Sequence, residues 1–372
     1  MRILYFSRNF TTHDWRFLAA LAETGHKVGF LQLEKSEIKF DDRPLPQGVT
    51  QIMWVGGQSQ ARWFNVPKLV VGLQKVVREF RPDLIQAGPI QRSAFITALA
   101  GFRPLVTMSW GYDLLFDVHK GPGWKWATQY TLRHSDALIT DCETTKNIGV
   151  RLGMTPERVI AFPWGANIRK YRPIDDKAES VIRKQLGWGR DDFVLLSTRS
   201  WSKIYGVDNL AAAFVKAVKK QPNLRLLMLG DGPMAEDIKG VFSQGGVSDY
   251  VHYPGLVTQE ALPDYYRAAD LYISSSHSDG TSISLLEAIA SGVPVLLTDI
   301  PSNKEWVITP GEFGWLYKDG NVDSLTHGIL QAYDNREALP AMGRAARDIA
   351  EVKADWELNF PRLFEAYKIA LS

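Results

Sequence analysis

Strand–helix alternation most constrains this chain, because it runs through once, breaks and starts again. In the first run, segments 2–6, 28–32, 83–87, 104–109, 137–140 and 159–162 read as short apolar strands. Between them, 15–24, 67–80, 91–100, 124–134 and 144–152 are apolar at helical spacing. Such alternation predicts a parallel, doubly wound sheet. It breaks at 163–174, which carries Pro163, Gly165, Pro173 and several Arg and Lys. It restarts with strands at 193–197, 225–229, 251–253, 271–274 and 293–298, and helices at 207–220, 234–242, 262–269, 282–291 and 322–335. A last helix is expected over 354–370. A chain of 372 residues is too long for one ordinary core and suits two domains. The expected fold class is therefore α/β, with two Rossmann-like doubly wound domains facing a cleft. One spans 1–168 plus a returning C-terminal helix, 355–372; the other spans 169–354. Ligands of such domains sit at the carboxyl ends of the strands.

Composition narrows the classes. Apolar residues make up 45% and charged ones 23%, as in a soluble globular protein. The single cysteine, Cys142, excludes an intramolecular disulfide and fits a reducing, cytoplasmic setting. Residues 1–10 hold no secretory apolar region, and no run approaches the roughly 18 apolar residues of a membrane span. Residues 1–173 hold 23 Lys+Arg against 14 Asp+Glu, whereas 174–372 hold 20 against 27. A basic first half favours an acidic partner or an anionic membrane surface. Scattered surface charge explains the excess equally well. No nucleic-acid recognition motif accompanies it.

The most informative stretch is 278–299. Asp279 lies in a Gly/Ser/Thr loop, a short helix follows, and Glu287 stands on that helix. Gly280, Thr281, Ser282 and Ile283 fall at the helix start, where unpaired N–H groups and partial positive charge suit a diphosphate. Glu287 lies five residues past Ser282, roughly 7–8 Å along the axis, about the span from a phosphate to a nucleotide ribose. Asp279, on the loop side, is placed for sugar hydroxyls. An ordinary capped helix with Ile283, Leu286 and Ala290 buried has the same spacing. Arg199 and Lys203 follow the strand at 193–197, where two cations can clamp a diphosphate. Gly230-Asp-Gly232 matches part of a dinucleotide fingerprint, but it lies mid-chain and Pro233 removes a donor.

Taken together and in order, these segments resemble the family-4 retaining glycosyltransferases of the GT-B fold. The resemblance rests on Pro163-Trp-Gly-Ala-Asn167, Arg199 with Lys203, Gly230-Asp-Gly-Pro233, Tyr253-Pro-Gly-Leu-Val257, Ala268-Ala-Asp270, and Asp279/Glu287 before Gly292-Val-Pro-Val295. It implies an acceptor-binding first domain and a nucleotide-sugar donor on the second. In that pattern Glu287 binds the ribose, Asp279 touches the donor sugar, Arg199 and Lys203 meet the diphosphate, and Leu256 and Val257 lie near the base. On the acceptor side it points to Asp113, Trp110 and His13. The chain departs from the pattern in four places. Asp279 is one methylene shorter than the usual Glu, Lys203 is slightly out of register with the usual lysine, Trp110 replaces a histidine, and Asn9–Asp14 stands where paired glycines are usual.

The implied reaction moves a sugar from a UDP- or GDP-sugar to an alcohol with retention, in polysaccharide or glycolipid synthesis. No Asp-x-Asp occurs in the sequence, so no metal and no cofactor beyond the nucleotide-sugar co-substrate is expected. The acceptor is a carbohydrate or a lipid-linked molecule. Trp124, Trp126 and Tyr130 among Lys120, Lys125 and Arg133 suit peripheral contact with an anionic membrane at its inner face. A core helix with exposed lysines reads the same. A glycoside phosphorylase on this fold and an inactive sugar-nucleotide-binding protein are the alternatives.

Overall fold

In the computed structural model, residues 1–35, 43–174, 176 and 180–372 are described. The chain divides into two compact units, Met1–Phe162 with Phe360–Ser372, and Pro163–Asn359. The first division falls six residues before the expected boundary at 168.

The first unit holds a seven-stranded parallel sheet: β1 (Arg2–Ser7), β2 (Lys27–Gln32), β3 (Val49–Gln51), β4 (Leu84–Gly88), β5 (Leu105–Met108), β6 (Ala137–Thr140) and β7 (Val159–Ala161). Their order is β3-β2-β1-β4-β5-β6-β7. The second holds β8 (Phe193–Ser197), β9 (Leu224–Met228), β10 (Val251–His252), β11 (Leu271–Ser274), β12 (Val295–Thr298) and β13 (Gly314–Tyr317). Their order is β10-β9-β8-β11-β12-β13, again all parallel. Both sheets follow the Rossmann winding, in which the order reverses beside the first strand and opens a crevice there. The inner strands are covered on both faces, which is why Phe193–Ser197 and Val295–Thr298 are buried at every position.

Several elements depart from the sequence expectation. The edge strands β3 and β13 had no clear signal; β3 is three residues long and mostly exposed. The fifteen-residue helix Leu339–Lys353 was missed, because much of its buried stripe is Gly343, Ala346 and Ala350. Small residues are needed there, since a Cβ on Gly343 would stand 2.4 Å from the Gly292 carbonyl oxygen. The single helix expected over 354–370 is two, Trp356–Asn359 and Arg362–Leu371, interrupted at Pro361. The second of these belongs to the first unit. It buries Leu363, Ala366 and Tyr367, and the Tyr367 hydroxyl donates to Gln86 Oε1 on β4.

Candidate functional site

In the second unit the sheet order reverses between β8 and β11. The loops leaving these strands, 198–206 and 275–282, therefore meet at one edge. Ser275 Oγ donates to the Tyr205 carbonyl at 2.8 Å, and the His277 N–H to the Ile204 carbonyl at 2.9 Å. Across this seam Arg199 reaches the candidate helix start. Its Nη2 donates to Asp279 Oδ2 at 2.6 Å and its Nη1 to Ser282 Oγ at 2.7 Å and Ser284 Oγ at 3.2 Å. The guanidinium also lies over the Tyr205 ring, 4.2 Å from its centroid. Burial works against the Arg199 charge, yet Asp279 together with Tyr205, Tyr272 and Tyr266 outweighs it and holds the group above the ordinary guanidinium value. Burial raises the Asp279 carboxyl above its usual range, although Arg199 and the Gly280 N–H pull the other way.

The helix Ile283–Ala290 starts at Ser282, whose hydroxyl faces Arg199 and Ser284 and makes no cap bond. The first-turn N–H groups therefore receive no cap from the Ser282 side chain. Gly280, Thr281 and Ser282 are buried at this start, and Ile283 is half-buried against the core. Ser302 Oγ anchors the Asp279 carbonyl at 2.7 Å, and Trp306 Nε1 donates to Thr281 Oγ1 at 3.3 Å. One turn further, buried Glu287 accepts from Tyr266 Oη at 2.9 Å. Burial, then the Glu287 charge, pushes the Tyr266 phenol well above its ordinary value, so it stays a donor.

Arg199, Asp279 and Ser282 thus touch one another, and Glu287 follows on the same helix. Lys203 does not join them. It opens the turn Lys203–Tyr205, is exposed, and its ammonium makes no hydrogen bond or ion pair among the described residues. Leu256 is 81% exposed beside half-buried Val257, on a loop fixed by the Gly230 N–H donating to the Gly255 carbonyl at 2.9 Å. The Gly230/Gly232 pair has a packing explanation. A Cβ at these positions would stand 2.9 Å from the Arg199 carbonyl oxygen and 2.5 Å from that of Trp201. The two glycines let this loop press against the backbone that carries Arg199.

In the first unit, Asp113 is sealed. It accepts from Ser109 Oγ at 2.5 Å, the Ile90 N–H at 3.0 Å and the Leu114 N–H at 3.0 Å, and has no exposed surface. These bonds tie the loop 109–114 to the start of the turn at Ile90. His13 and Trp110 are both half-buried and face each other, ring centroids 5.5 Å apart at 31°. In the helix Pro122–Arg133, Ala127, Thr128, Thr131 and Leu132 are core, while Trp126 is 53% exposed.

Two family models match nearly end to end. "Glycosyl transferase 4-like domain" covers residues 12–165 and "Glycosyl transferases group 1" covers 179–349. The chain belongs to the family-4 glycosyltransferases. Among curated relatives, the alpha-monoglucosyldiacylglycerol synthase of Streptococcus pneumoniae is 28% identical over 56% of this chain and 47% of its own length. A GDP-mannose-dependent monoacylated alpha-(1-6)-phosphatidylinositol monomannoside mannosyltransferase of Corynebacterium glutamicum is 22% identical over 80% of this chain and 79% of its own. The chain spans about half the length of the first two curated relatives it matches. Anabaena HepE in complex with UDP superposes with a TM-score of 0.79 at 19% identity, covering 99% of this chain and 100% of that one. WaaG, a glycosyltransferase involved in lipopolysaccharide biosynthesis, gives 0.77 at 18% identity over 99% of both chains. These likenesses establish the GT-B fold.

Several site residues of this family-4 glycosyltransferase escaped the sequence. Tyr266 falls inside the helix expected over 262–269 and Tyr205 in the segment after the strand at 193–197, and neither carries a motif. His277, bonded through Nδ1 to Asp319 at 2.5 Å, carried no motif. Only the strand order brings them to the edge where Arg199 and Glu287 stand.

Proposed function

We propose that this chain is a retaining glycosyltransferase that moves a sugar from a UDP- or GDP-sugar to an alcohol of a carbohydrate or lipid-linked acceptor. The observation that carries this reading is the Arg199–Asp279–Ser282 cluster at an uncapped helix start, with Glu287 on the same helix. In this reading the diphosphate lies on the N–H groups from Thr281 to Ile283, and Gly280, whose N–H faces Asp279, lets the backbone approach it closely. Arg199 faces it, and its buried Nε, which has no partner among the described residues, is a donor for a phosphate oxygen. Lys203 adds a second cation from the exposed turn. Glu287, held by Tyr266, takes the ribose hydroxyls; Asp279 takes sugar hydroxyls and keeps Arg199 turned toward the helix. Leu256 and Val257 meet the base. Relatives and fold neighbours include a GDP-mannose-dependent mannosyltransferase and complexes with UDP and UDP-glucose, in agreement with a donor of this class.

Retention follows from front-face attack. The acceptor hydroxyl forms its bond to the anomeric carbon as the diphosphate leaves, and the departing phosphate oxygen takes the proton. Positioning and stabilisation of the leaving group by Arg199, Lys203 and the helix start supply the catalysis. The missing Asp-x-Asp supports a reaction without metal. We place the acceptor on the first unit, in a cytoplasmic protein that touches an anionic membrane peripherally. Exposed Trp63, Phe64 and Trp126 support that contact, and among the described residues no helix is long and apolar enough to cross a membrane.

A thermal-shift screen of nucleotide sugars, followed by product analysis, tests the reading. One UDP- or GDP-sugar should stabilise the chain, by about 2.7 kcal/mol at 100 times its dissociation constant. Glu287→Gln should weaken it by about tenfold, as expected for loss of a charged hydrogen-bond acceptor. A product of inverted anomeric configuration, or turnover only with Mn²⁺, would refute the mechanism.

A further inference from the structure

At the carboxyl edge of the first sheet, three loops converge beside the reversal between β1 and β4. Arg8 follows β1, Glu34 follows β2, and Gln91 and Arg92 follow β4. Gln91 and Arg92 lie in a wide π-helical turn, Ile90–Ala94, a local geometry often found at functional sites. Arg8 Nε donates to Glu34 Oε2 at 2.8 Å, and Arg92 Nη1 stands 3.5 Å from Glu34 Oε1. The Glu34 side chain is only 4% exposed. Two guanidinium groups thus share one buried carboxylate, leaving one positive charge uncompensated within this trio. The neighbouring Asp117 is already paired with Lys120 at 2.6 Å. Burial and repulsion from Arg8 both weaken the Arg92 charge, and Glu34 and Asp117 only partly restore it.

Buried polar atoms on this wall without a hydrogen-bond partner among the described residues include Arg92 Nε, a donor, and the acceptors Gln91 Oε1 and Glu34 Oε1, the last meeting Arg92 only as an ion pair at 3.5 Å. The rest of Gln91 is committed, its Nε2 donating to the Asp113 carbonyl at 2.7 Å and Thr128 Oγ1 at 2.8 Å. Unmet buried groups of this kind cost on the order of 1–3 kcal/mol each, which a ligand can recover. Leu33, Trp63, Gln91, Arg92 and Phe95 line a pocket of about 30 Å³, room for one small group, so anything larger must lie across its rim. That rim is aromatic. Arg92 lies 4.9 Å from the Trp124 ring centroid, and Trp63, half exposed, packs against both Trp124 and Phe95.

We propose that this edge is the acceptor subsite for an anionic amphiphile. Its phosphate-type group sits on Arg92 and Arg8, a hydroxyl donates to Gln91 Oε1, and its apolar part lies over Trp63 and Trp124. The inference rests on the glycosyltransferase reading for the word acceptor, but not for the binding itself.

Calorimetry without donor tests it, with short-chain phosphatidic acid below its micelle concentration as the probe. Diacylglycerol of the same chain length and inorganic phosphate are the comparison arms. Phosphatidic acid should bind at least about tenfold more tightly than either. Arg92→Gln and Trp63→Ala should each cost about tenfold, and Arg92→Lys should restore part of the loss. Arg8→Gln keeps the Glu34–Arg92 pair, so it gives an informative loss even if Arg92→Gln misfolds. Equal binding of diacylglycerol would overturn the role of charge. Phosphate binding as tightly, indifferent to Trp63→Ala, would reduce the subsite to a free-anion site and overturn the amphiphile. Donor stabilisation of the unmodified chain, measured in parallel, shows whether the glycosyltransferase reading stands when this one falls.

Discussion

Asp14 and Asp113 are both sealed from solvent, and burial raises each carboxyl to about 6 although neighbouring donors pull it down. Asp14 closes a capping box with Thr11 and accepts from Tyr5 Oη at 3.0 Å. The ordinary value is 3.8, so between there and about 6 the native chain holds protons that the unfolded chain has released. Each group's stabilising contribution is therefore full below pH ~4 and lost as pH rises through ~6, on the order of 2–3 kcal/mol for a shift of this size. Asp14→Asn should flatten the fall in unfolding free energy between pH 4 and 7 relative to the unmodified chain, read by urea melts at several pH values. An unchanged slope would contradict the raised value. The two aspartates also mark a limit of sequence reading. Asp279 and Glu287 were legible because they flank a Gly/Ser/Thr loop entering a helix. Asp113 carries similar motif evidence yet is consumed inside its loop, and burial is set by tertiary packing. Asp270, part of the family resemblance, proves to be the partner of buried Arg183 at 2.5 Å and of the Val194 N–H at 2.8 Å, so it ties down the start of β8.

Among elements, the turn Lys203–Gly206 fixes the approach of the two loops in the candidate donor site. Gly206 has φ +55°, and a Cβ there would stand 2.2 Å from the Ser275 carbonyl oxygen. Gly246, at φ +70°, has no neighbour within 4 Å of such a Cβ. Gly246→Ala should therefore cost only the left-handed penalty, about 1 kcal/mol, whereas Gly206→Ala adds a backbone clash and should cost about 2 kcal/mol or more. It should also diminish nucleotide-sugar stabilisation. Equal costs in denaturant melts would show that the close approach does not matter. The long apolar strands were legible because burial on both faces leaves continuous apolar runs. The helix Leu339–Lys353 was not, since the close packing that positions it calls for glycine and alanine.

At the scale of the whole molecule, the first unit is discontinuous in sequence: it takes in Met1–Phe162 and then Phe360–Ser372. Both crossings leave the second unit side by side. Ala166 and Asp355 form a parallel bridge, and Asn359 Nδ2 donates to the Pro163 carbonyl at 3.0 Å. Cutting the chain after Asn359 should leave the second unit's melting transition in place. It should lower that of the first by several degrees or more, because Leu363, Ala366 and Tyr367 leave its core. A single unshifted transition by calorimetry would show that the returning helix contributes nothing.

The same returning helix bears on biosynthesis. Domains usually close in the order in which the ribosome delivers them. Here the unit begun first lacks its covering helix until everything from Pro163 to Asn359 has been made. Throughout that interval the apolar ground that later receives Leu363 and Tyr367 stays open, making the nascent first unit the part most in need of chaperone protection.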